Sequence, residues 1–134
     1  MPEQGLFITL EGGEGAGKTT LARHLADAFA GAGREVVLTR EPGGTPNAEA
    51  LRALLVDGET GRWSPIAETL LMFAARADHV ERLVKPALAR GAVVICDRFT
   101  DSTRAYQGAA GGVDSARIEA VREATLGDFA PDLT

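Results

Sequence analysis

The chain has little cysteine, no excess of basic charge and no long apolar run. Its 134 residues include a single cysteine, Cys96, so no disulfide can form within the chain. A formal net charge of −5 argues against broad electrostatic attraction to nucleic acid polymers or anionic membranes. No window approaches the roughly 18 uninterrupted apolar residues of a membrane-spanning helix, and no basic segment followed by a long apolar stretch opens the sequence. We therefore expect a soluble, cytoplasmic protein.

Internal repeats and low-complexity linkers are also missing, whereas 45% of the residues are hydrophobic. This length and composition suffice for one domain with a real core, so residues 1–134 are treated as a single domain. Short apolar runs alternate with amphipathic segments, which predicts a parallel α/β sheet. Cys96 falls within one of these runs, where a buried and unreactive thiol is expected.

The stretch GGEGAGKT, residues 12–19, fits the phosphate-binding pattern G-x-x-x-x-G-K-[ST]. It follows the apolar run 6–10, which predicts a buried strand, and precedes a predicted helix over residues 20–29. The side chains that recur at helical spacing in that helix are Leu21, Leu25, Ala28 and Phe29. Glycines let backbone N–H groups turn toward a phosphate, the Lys18 ammonium can reach the β- and γ-phosphates, and the Thr19 hydroxyl can bind Mg²⁺. The predicted ATP-binding residues are Gly12, Gly13, Glu14, Gly15, Ala16, Gly17, Lys18, Thr19 and Thr20.

Start signals predict three more helices. Thr45 and Ser64 are each followed by proline, a typical helix start, and Asp114 can cap the last helix. The helix after Ser64 is expected to run to about Arg90, with a kink near Pro86. The residues expected to face inward from the last helix are Ile118, Val121 and Leu126.

Two further strands are predicted, over residues 36–39 and 92–96, and residues 131–134 resemble the start of another. Residues 57–63 and 99–112 are expected to be loops. Asp97 and Arg98 follow the second of these strands, at the end where ligands collect in open α/β sheets. The predicted metal-binding residues are Thr19 and Asp97.

Four motifs, in order along the chain, resemble those of bacterial thymidylate kinases, the nucleoside monophosphate kinases that phosphorylate dTMP. They are GGEGAGKT at 12–19, TREPGGT at 39–45, DRF at 97–99 and STRAYQG at 102–108. The resemblance covers almost the whole chain. It implies a P-loop NTP hydrolase-like fold with helices on both faces of a parallel sheet, ATP and Mg²⁺ as cosubstrates, and a homodimer.

The resemblance also implies roles for individual residues. Two N–H groups of an arginine can hold a dianionic phosphate, so Arg40 and Arg98 are expected to present the acceptor phosphate. Arg76 matches the arginine used on the thymine carbonyl, and Tyr106 the tyrosine that crowds the sugar 2′ position. The catalytic set is Lys18, Arg40, Asp97, Arg98 and Glu14, and the substrate-binding set is Arg40, Met72, Phe73, Arg76, Arg98, Ser102, Thr103, Tyr106 and Gln107. The alternatives are a surface salt bridge for Arg40, a structural ion pair for Arg98 and core packing for Tyr106.

Two positions depart from the family pattern. An aromatic residue four positions before the base-binding arginine normally stacks on the base, but here Met72 holds that position and Phe73 follows it. Both spacings lie on nearly the same helix face, so the choice between them stays open. Gly15 stands where some members carry an arginine, and members with glycine there supply the arginine from a lid downstream of Pro-Asp-Leu-Thr. We therefore expect a C-terminally incomplete chain that turns over dTMP at least about a thousandfold more slowly than an extended one.

The predicted reaction is in-line transfer of the γ-phosphoryl group of ATP to dTMP, giving dTDP and ADP without a covalent protein intermediate. A kinase for another nucleoside monophosphate and a non-catalytic ATP-binding module are the alternatives. A GTPase switch is disfavoured, because the sequence has no D-x-x-G and its only asparagine, Asn47, precedes alanine.

Overall fold

The computed structural model describes residues 4–13, 17–57 and 61–134. Three parallel strands form its sheet in the order β1-β3-β2; β1 is Leu6–Leu10, β2 is Val36–Arg40 and β3 is Val93–Asp97. Leu10 and Arg40 both lie opposite Asp97, so the carboxyl ends of all three strands meet at one edge. The predicted parallel α/β sheet is confirmed, with β3 displaced by one residue from its predicted bounds.

Helices follow the predicted start signals. Thr45 and Ser64 each accept a hydrogen bond from the backbone N–H three residues ahead, and Asp114 accepts one from Ala116, so all three predicted caps are confirmed. The helices are α1 Lys18–Gly31, α2 Pro46–Val56, α3 Pro65–His79, α4 Lys85–Ala89, α5 Thr100–Thr103 and α6 Ser115–Leu126, with π-helical segments Val80–Val84 and Arg104–Ala109.

The sheet has an apolar cluster on each face, because successive strand side chains point to opposite sides. Ile8, Val93 and Ile95 pack against α1 on one face. Phe7, Val94 and Cys96 face the larger cluster, to which α3, α4 and α6 contribute; its helical members include Phe73, Ala87, Ile118 and Leu126. Helices on both faces are therefore confirmed. Among the described residues, no helix is long and apolar enough to cross a membrane.

The helix after Ser64 becomes π-helical just before Pro86, the residue near which a kink is predicted. The helix from Pro65 is interrupted by the π-helical segment Val80–Val84, in which the Lys85 N–H bonds to the carbonyl of Val80. Proline has no N–H, and in a regular α-helix its ring crowds the carbonyl four residues earlier. A wider turn just before Pro86 relieves that crowding, so the irregularity precedes the proline.

The predicted loop over residues 99–112 is wrong for most of its length. Residues 100–109 are helical, and Thr100, Ser102 and Thr103 are buried. The Phe99 N–H and the Ser102 hydroxyl both donate to the carboxylate of Glu11, which ties the start of α5 to the end of β1. A hydroxyl-rich, glycine-containing sequence favours a loop locally, but this distant acceptor stabilises the helix.

The helical spacing of apolar residues predicted only part of the face of α1 that packs on the sheet. Leu25 and Phe29 pack on the sheet together with Ala22 and Ala26, whereas Leu21 and Ala28 are exposed. Two further predictions concern Cys96 and residues 131–134. Cys96 is buried, and burial raises the pKa of its thiol well above the ordinary value. The strand expected near residue 133 is a single parallel bridge between Leu133 and Ile8.

Candidate active site

A groove of about 550 Å³ opens at the carboxyl edge of the sheet, between α1 and β2. We call it the Lys18 groove; Thr19, Thr39, Arg40, Gly44 and Asp97 also line it. The Lys18 Nζ lies 2.7 Å from Oδ1 of Asp97, and the lysine side chain is only 12% exposed. The structure thus places the lysine of the phosphate motif in contact with the carboxylate at the end of β3.

The backbone around the phosphate motif explains its glycines. Gly12 has φ 141° and Gly17 has φ 85°, both in the region that L side chains rarely adopt. Gly17 immediately precedes α1 and has no side chain with which to cap the first N–H groups of that helix. Gly13 and Thr20 are exposed. The predicted contributions of Glu14, Gly15 and Ala16 lie outside the described residues.

A second cavity of about 330 Å³ is lined by Glu41 and Pro42, which follow the Arg40 wall of the groove in sequence. We call it the Arg98 cleft. The Arg98 guanidinium lies 5.3 Å from the centre of the half-exposed Tyr106 ring, a cation–π contact. The other residues that line the cleft include Glu41, Arg52, Glu68, Met72, Ser102 and Gln107. The lining thus contains two arginines, Arg52 and Arg98, and two carboxylates, Glu41 and Glu68, and Met72 gives the cleft an apolar wall.

Asp97 and Arg98 are consecutive but line different cavities. Arg98 has φ 72°, a left-handed conformation that costs a non-glycine residue about 1–2 kcal/mol. Its N–H bonds to the carbonyl of Leu10, which ties the turn to the end of β1. This turn places a carboxylate in the groove and a guanidinium in the neighbouring cleft.

Arg76 is buried behind the Arg98 cleft and does not line it. Only 1% of it is exposed, and its three nitrogens bond to Glu41, Thr103 and the carbonyl of Phe99. Phe73 is equally buried, with its ring 4.8 Å from the Arg76 guanidinium carbon. Of the two candidates that the sequence left open, Met72 is therefore the one whose side chain reaches the cleft.

Arg40 lies apart from Arg98. Its side chain is 54% exposed on the wall of the Lys18 groove, with Glu49 3.4 Å away. A hydrogen bond from the Gly44 N–H, together with the positive charge of Arg40, holds the pKa of Glu49 below its ordinary value. The structure thus groups Lys18, Thr19, Arg40 and Asp97 in the groove and groups the following residues in the cleft: Met72, Arg98, Ser102, Tyr106 and Gln107.

Sequence reasoning missed several polar residues that organise the two cavities. Glu11 holds both the residue after Arg98 and the Ser102 hydroxyl, the latter at 2.6 Å. A carboxylate at the end of a buried strand had signalled Asp97, and the same signal was present at Glu11. Glu41 and His79 form a buried pair whose contact crosses 38 residues of sequence, so no local pattern could have indicated it.

Comparison with known proteins gives a consistent family assignment. The family model described as thymidylate kinase matches residues 10–134. The thymidylate kinase of Caulobacter vibrioides is 61% identical over 131 residues, which are 98% of this chain and 63% of that protein. The thymidylate kinase of Afipia carboxidovorans is 57% identical, over 99% of this chain and 58% of its own length.

A solved structure has the same fold. The crystal structure of thymidylate kinase from Ehrlichia chaffeensis superposes with a TM-score of 0.83 at 41% sequence identity, covering 96% of this chain and 68% of that one. The chain spans about 60% of the length of the curated relatives that it matches.

Proposed function

Because this chain belongs to the thymidylate kinase family, we propose that it transfers the γ-phosphoryl group of ATP to the 5′-phosphate of dTMP, giving dTDP and ADP. The observation that carries this proposal is the turn at Asp97 and Arg98. These consecutive residues put an anionic group in the Lys18 groove and a cationic group in the Arg98 cleft. In-line transfer needs the donor and acceptor phosphates close together and aligned, and two neighbouring cavities that share the Asp97–Arg98 turn can hold them so.

The donor phosphates belong to the Lys18 groove in this proposal. Backbone N–H groups between Gly13 and Lys18 hold the triphosphate, and the Lys18 ammonium exchanges its contact with Asp97 for the β- and γ-phosphate oxygens. Thr20 belongs to the same proposed ATP-binding set, and so does Glu14 on the basis of the sequence alone. Charge neutralisation by Lys18 would stabilise the transferring group in the transition state.

The oxygen atoms in the groove fit Mg²⁺. Thr19 offers an exposed hydroxyl and Asp97 a carboxylate that is 39% exposed, both oxygen donors at the groove wall. Mg²⁺ prefers oxygen ligands and is often held by one or two protein groups together with phosphates and waters. Thr19 and Asp97 would hold the ion, which when bound offsets charge on the phosphates.

We assign the acceptor to the Arg98 cleft. Arg98 holds the dTMP phosphate, and Arg40 joins it from the groove wall, since its long contacts with an exposed Glu49 are easily given up. Met72 lies against the base, Ser102 and Gln107 line the same pocket, and the neighbouring buried pair is Phe73 and Thr103. Tyr106 stands where a 2′-hydroxyl would enter.

Arg76 remains our candidate for the thymine carbonyl. Its hydrogen bonds to Glu41, Thr103 and the carbonyl of Phe99 use three of its five N–H groups.

A homodimer and a cytoplasmic location are part of the proposal. Exposed apolar side chains on the packed helices α2 and α3, among them Leu54 and Leu70, support a second copy as the partner. Sedimentation velocity at several concentrations tests the dimer. A cytoplasmic location is proposed because the reaction needs ATP.

The test of function is an ADP-release assay with Mg-ATP against dTMP, dUMP, dCMP, dGMP, UMP and AMP. We expect the kcat/KM for dTMP to exceed that for every other acceptor by about tenfold or more. Preference for another monophosphate would identify a different acceptor. ATP binding without ADP release for any acceptor would identify a non-catalytic nucleotide-binding protein.

A further inference from the structure

His79 is fully buried against the end of β2 and the loop that follows that strand. Its Nδ1 lies 2.7 Å from Oε2 of Glu41, and its Nε2 lies 2.7 Å from Oγ1 of Thr39. A carboxylate can only accept, so the bond to Glu41 requires a hydrogen on Nδ1. In the neutral imidazole, Nε2 then accepts from the Thr39 hydroxyl.

This histidine connects the walls of the two cavities. Thr39 and Gly44 line the Lys18 groove, whereas Glu41 lines the Arg98 cleft. A Cβ on Gly44 would overlap the imidazole of His79, so the backbone at Gly44 lies directly against the ring. His79 therefore fixes the loop between the two sites through two hydrogen bonds and a close packing contact.

Glu41 passes this constraint to Arg76. Its Oε1 accepts from Nε of Arg76 at 2.5 Å, while Oε2 accepts from His79. The guanidinium also donates to Thr103 and to the carbonyl of Phe99. Its plane thus has three anchors, and loss of the His79 N–H would leave one buried carboxylate oxygen without its donor.

We propose that His79 is a positioning residue for the acceptor nucleotide: by holding Glu41, it fixes the orientation of Arg76 and the wall of the Arg98 cleft. This inference rests on the proposed function, because it takes a nucleoside monophosphate as the ligand of the cleft. His79 itself lines neither cavity.

Two substitutions of similar size separate its two hydrogen bonds. In His79→Asn the amide nitrogen takes the place of Nδ1 and can still donate to Glu41, whereas in His79→Gln the amide takes the place of Nε2 and reaches Thr39 instead. By calorimetry we expect His79→Gln to weaken dTMP binding about tenfold or more and His79→Asn about threefold or less. Binding of an ATP analogue with Mg²⁺ should stay within about threefold of wild type in both. His24→Gln, at the other histidine and exposed on α1, is the matched control.

A ligand-independent signal completes the test. The ¹H–¹⁵N resonance of Arg76 Nε–H, assigned through Arg76→Lys, should persist in His79→Asn and broaden or shift in His79→Gln. Equal dTMP affinities for the two variants, or an unchanged Arg76 signal in His79→Gln, would overturn the inference. If wild type itself binds no dTMP, the proposed function fails, and the Arg76 signal alone decides whether His79 positions Arg76.

Discussion

The Nζ of Lys18 lies 2.7 Å from Oδ1 of Asp97, so the lysine of the phosphate motif is paired with the strand-end carboxylate. Both side chains line the same groove. A phosphate entering that groove competes with Asp97 for the ammonium, and the carboxylate is then free to act on a cation. The pair keeps two residues of the proposed site in contact before they take separate roles.

Lys18→Ala should lower turnover at least about a hundredfold, corresponding to ~3 kcal/mol of transition-state stabilisation, because the transferring phosphoryl group loses the charge of the Lys18 ammonium. Steady-state ADP release with dTMP measures the effect. Lys85→Ala is the matched control, since Lys85 pairs with the exposed Glu81 and contacts the Phe129 ring, and it does not line the Lys18 groove. Near-normal turnover of Lys18→Ala with an unchanged Tm would remove this groove from the chemistry.

Tyr106 is expected to exclude ribonucleotides and to support Arg98. Tyr106→Phe keeps the ring that blocks the 2′ position and contacts the Arg98 guanidinium, so it should behave as wild type. Tyr106→Ala removes both, and should raise the KM for dTMP and the relative kcat/KM for ribo-TMP. An unchanged ribo-to-deoxy ratio in the alanine variant would leave Tyr106 only its contact with Arg98.

At Arg98 the strained backbone lowers stability, whereas the guanidinium is expected to bind dTMP. Because φ is 72° at this position, glycine adopts the native backbone more readily than alanine, and Arg98→Gly should be more stable than Arg98→Ala by about 1 kcal/mol. Both variants lose the guanidinium and should bind dTMP weakly. Urea unfolding and calorimetry on the same two proteins give both quantities. Greater stability of the alanine variant would contradict the strain argument.

The parts of this molecule that sequence predicts well depend on neighbours in the chain. Thr45 and Ser64 each bond to the N–H three residues ahead, so the signal and its partner share one short segment. Asp97 was found in the same way, since a carboxylate directly after a buried apolar run marks the ligand-binding edge of a parallel sheet.

The parts that sequence reasoning missed depend on distant partners. Residues 100–109 are helical although their composition favours a loop, because Glu11, about 90 residues earlier, accepts from the start of that helix. The burial of Arg76 has the same origin, since Glu41 and Thr103 reach it from two other parts of the chain. Periodicity placed Arg76 on a helix, but only the tertiary structure shows which groups surround it.

Met72 and Phe73 should separate binding from stability. Met72→Ala removes an apolar wall of the Arg98 cleft and should weaken dTMP binding about tenfold with a small change in stability. Phe73→Ala empties a fully buried site and should lower the free energy of unfolding by about 3–5 kcal/mol. Calorimetry and urea unfolding distinguish the two. A large loss of stability in Met72→Ala with unchanged dTMP affinity would show that Met72 is a core residue.

Acid should weaken the ion cluster that joins Glu119 and Arg122 of α6 to Arg104. Hydrogen bonds from Arg104 at 2.6 Å and Arg122 at 2.7 Å lower the pKa of Glu119 to about 2. The unfolded value is near 4.3, so ionised Glu119 stabilises the fold above that pH, and this contribution is lost as the pH falls toward about 2.

The test is the difference in unfolding free energy between wild type and Glu119→Gln, measured in urea from about pH 6 to pH 2.5. We expect the difference to be constant at the upper end and to shrink through the lower half of that range. Because the Glu119 side chain is 42% exposed, about 1 M NaCl should also reduce it. Replacing both Arg104 and Arg122 with glutamine should abolish the pH dependence of the difference. A difference that is the same at pH 6 and pH 2.5 would show that these arginines do not hold the carboxylate in its ionised form.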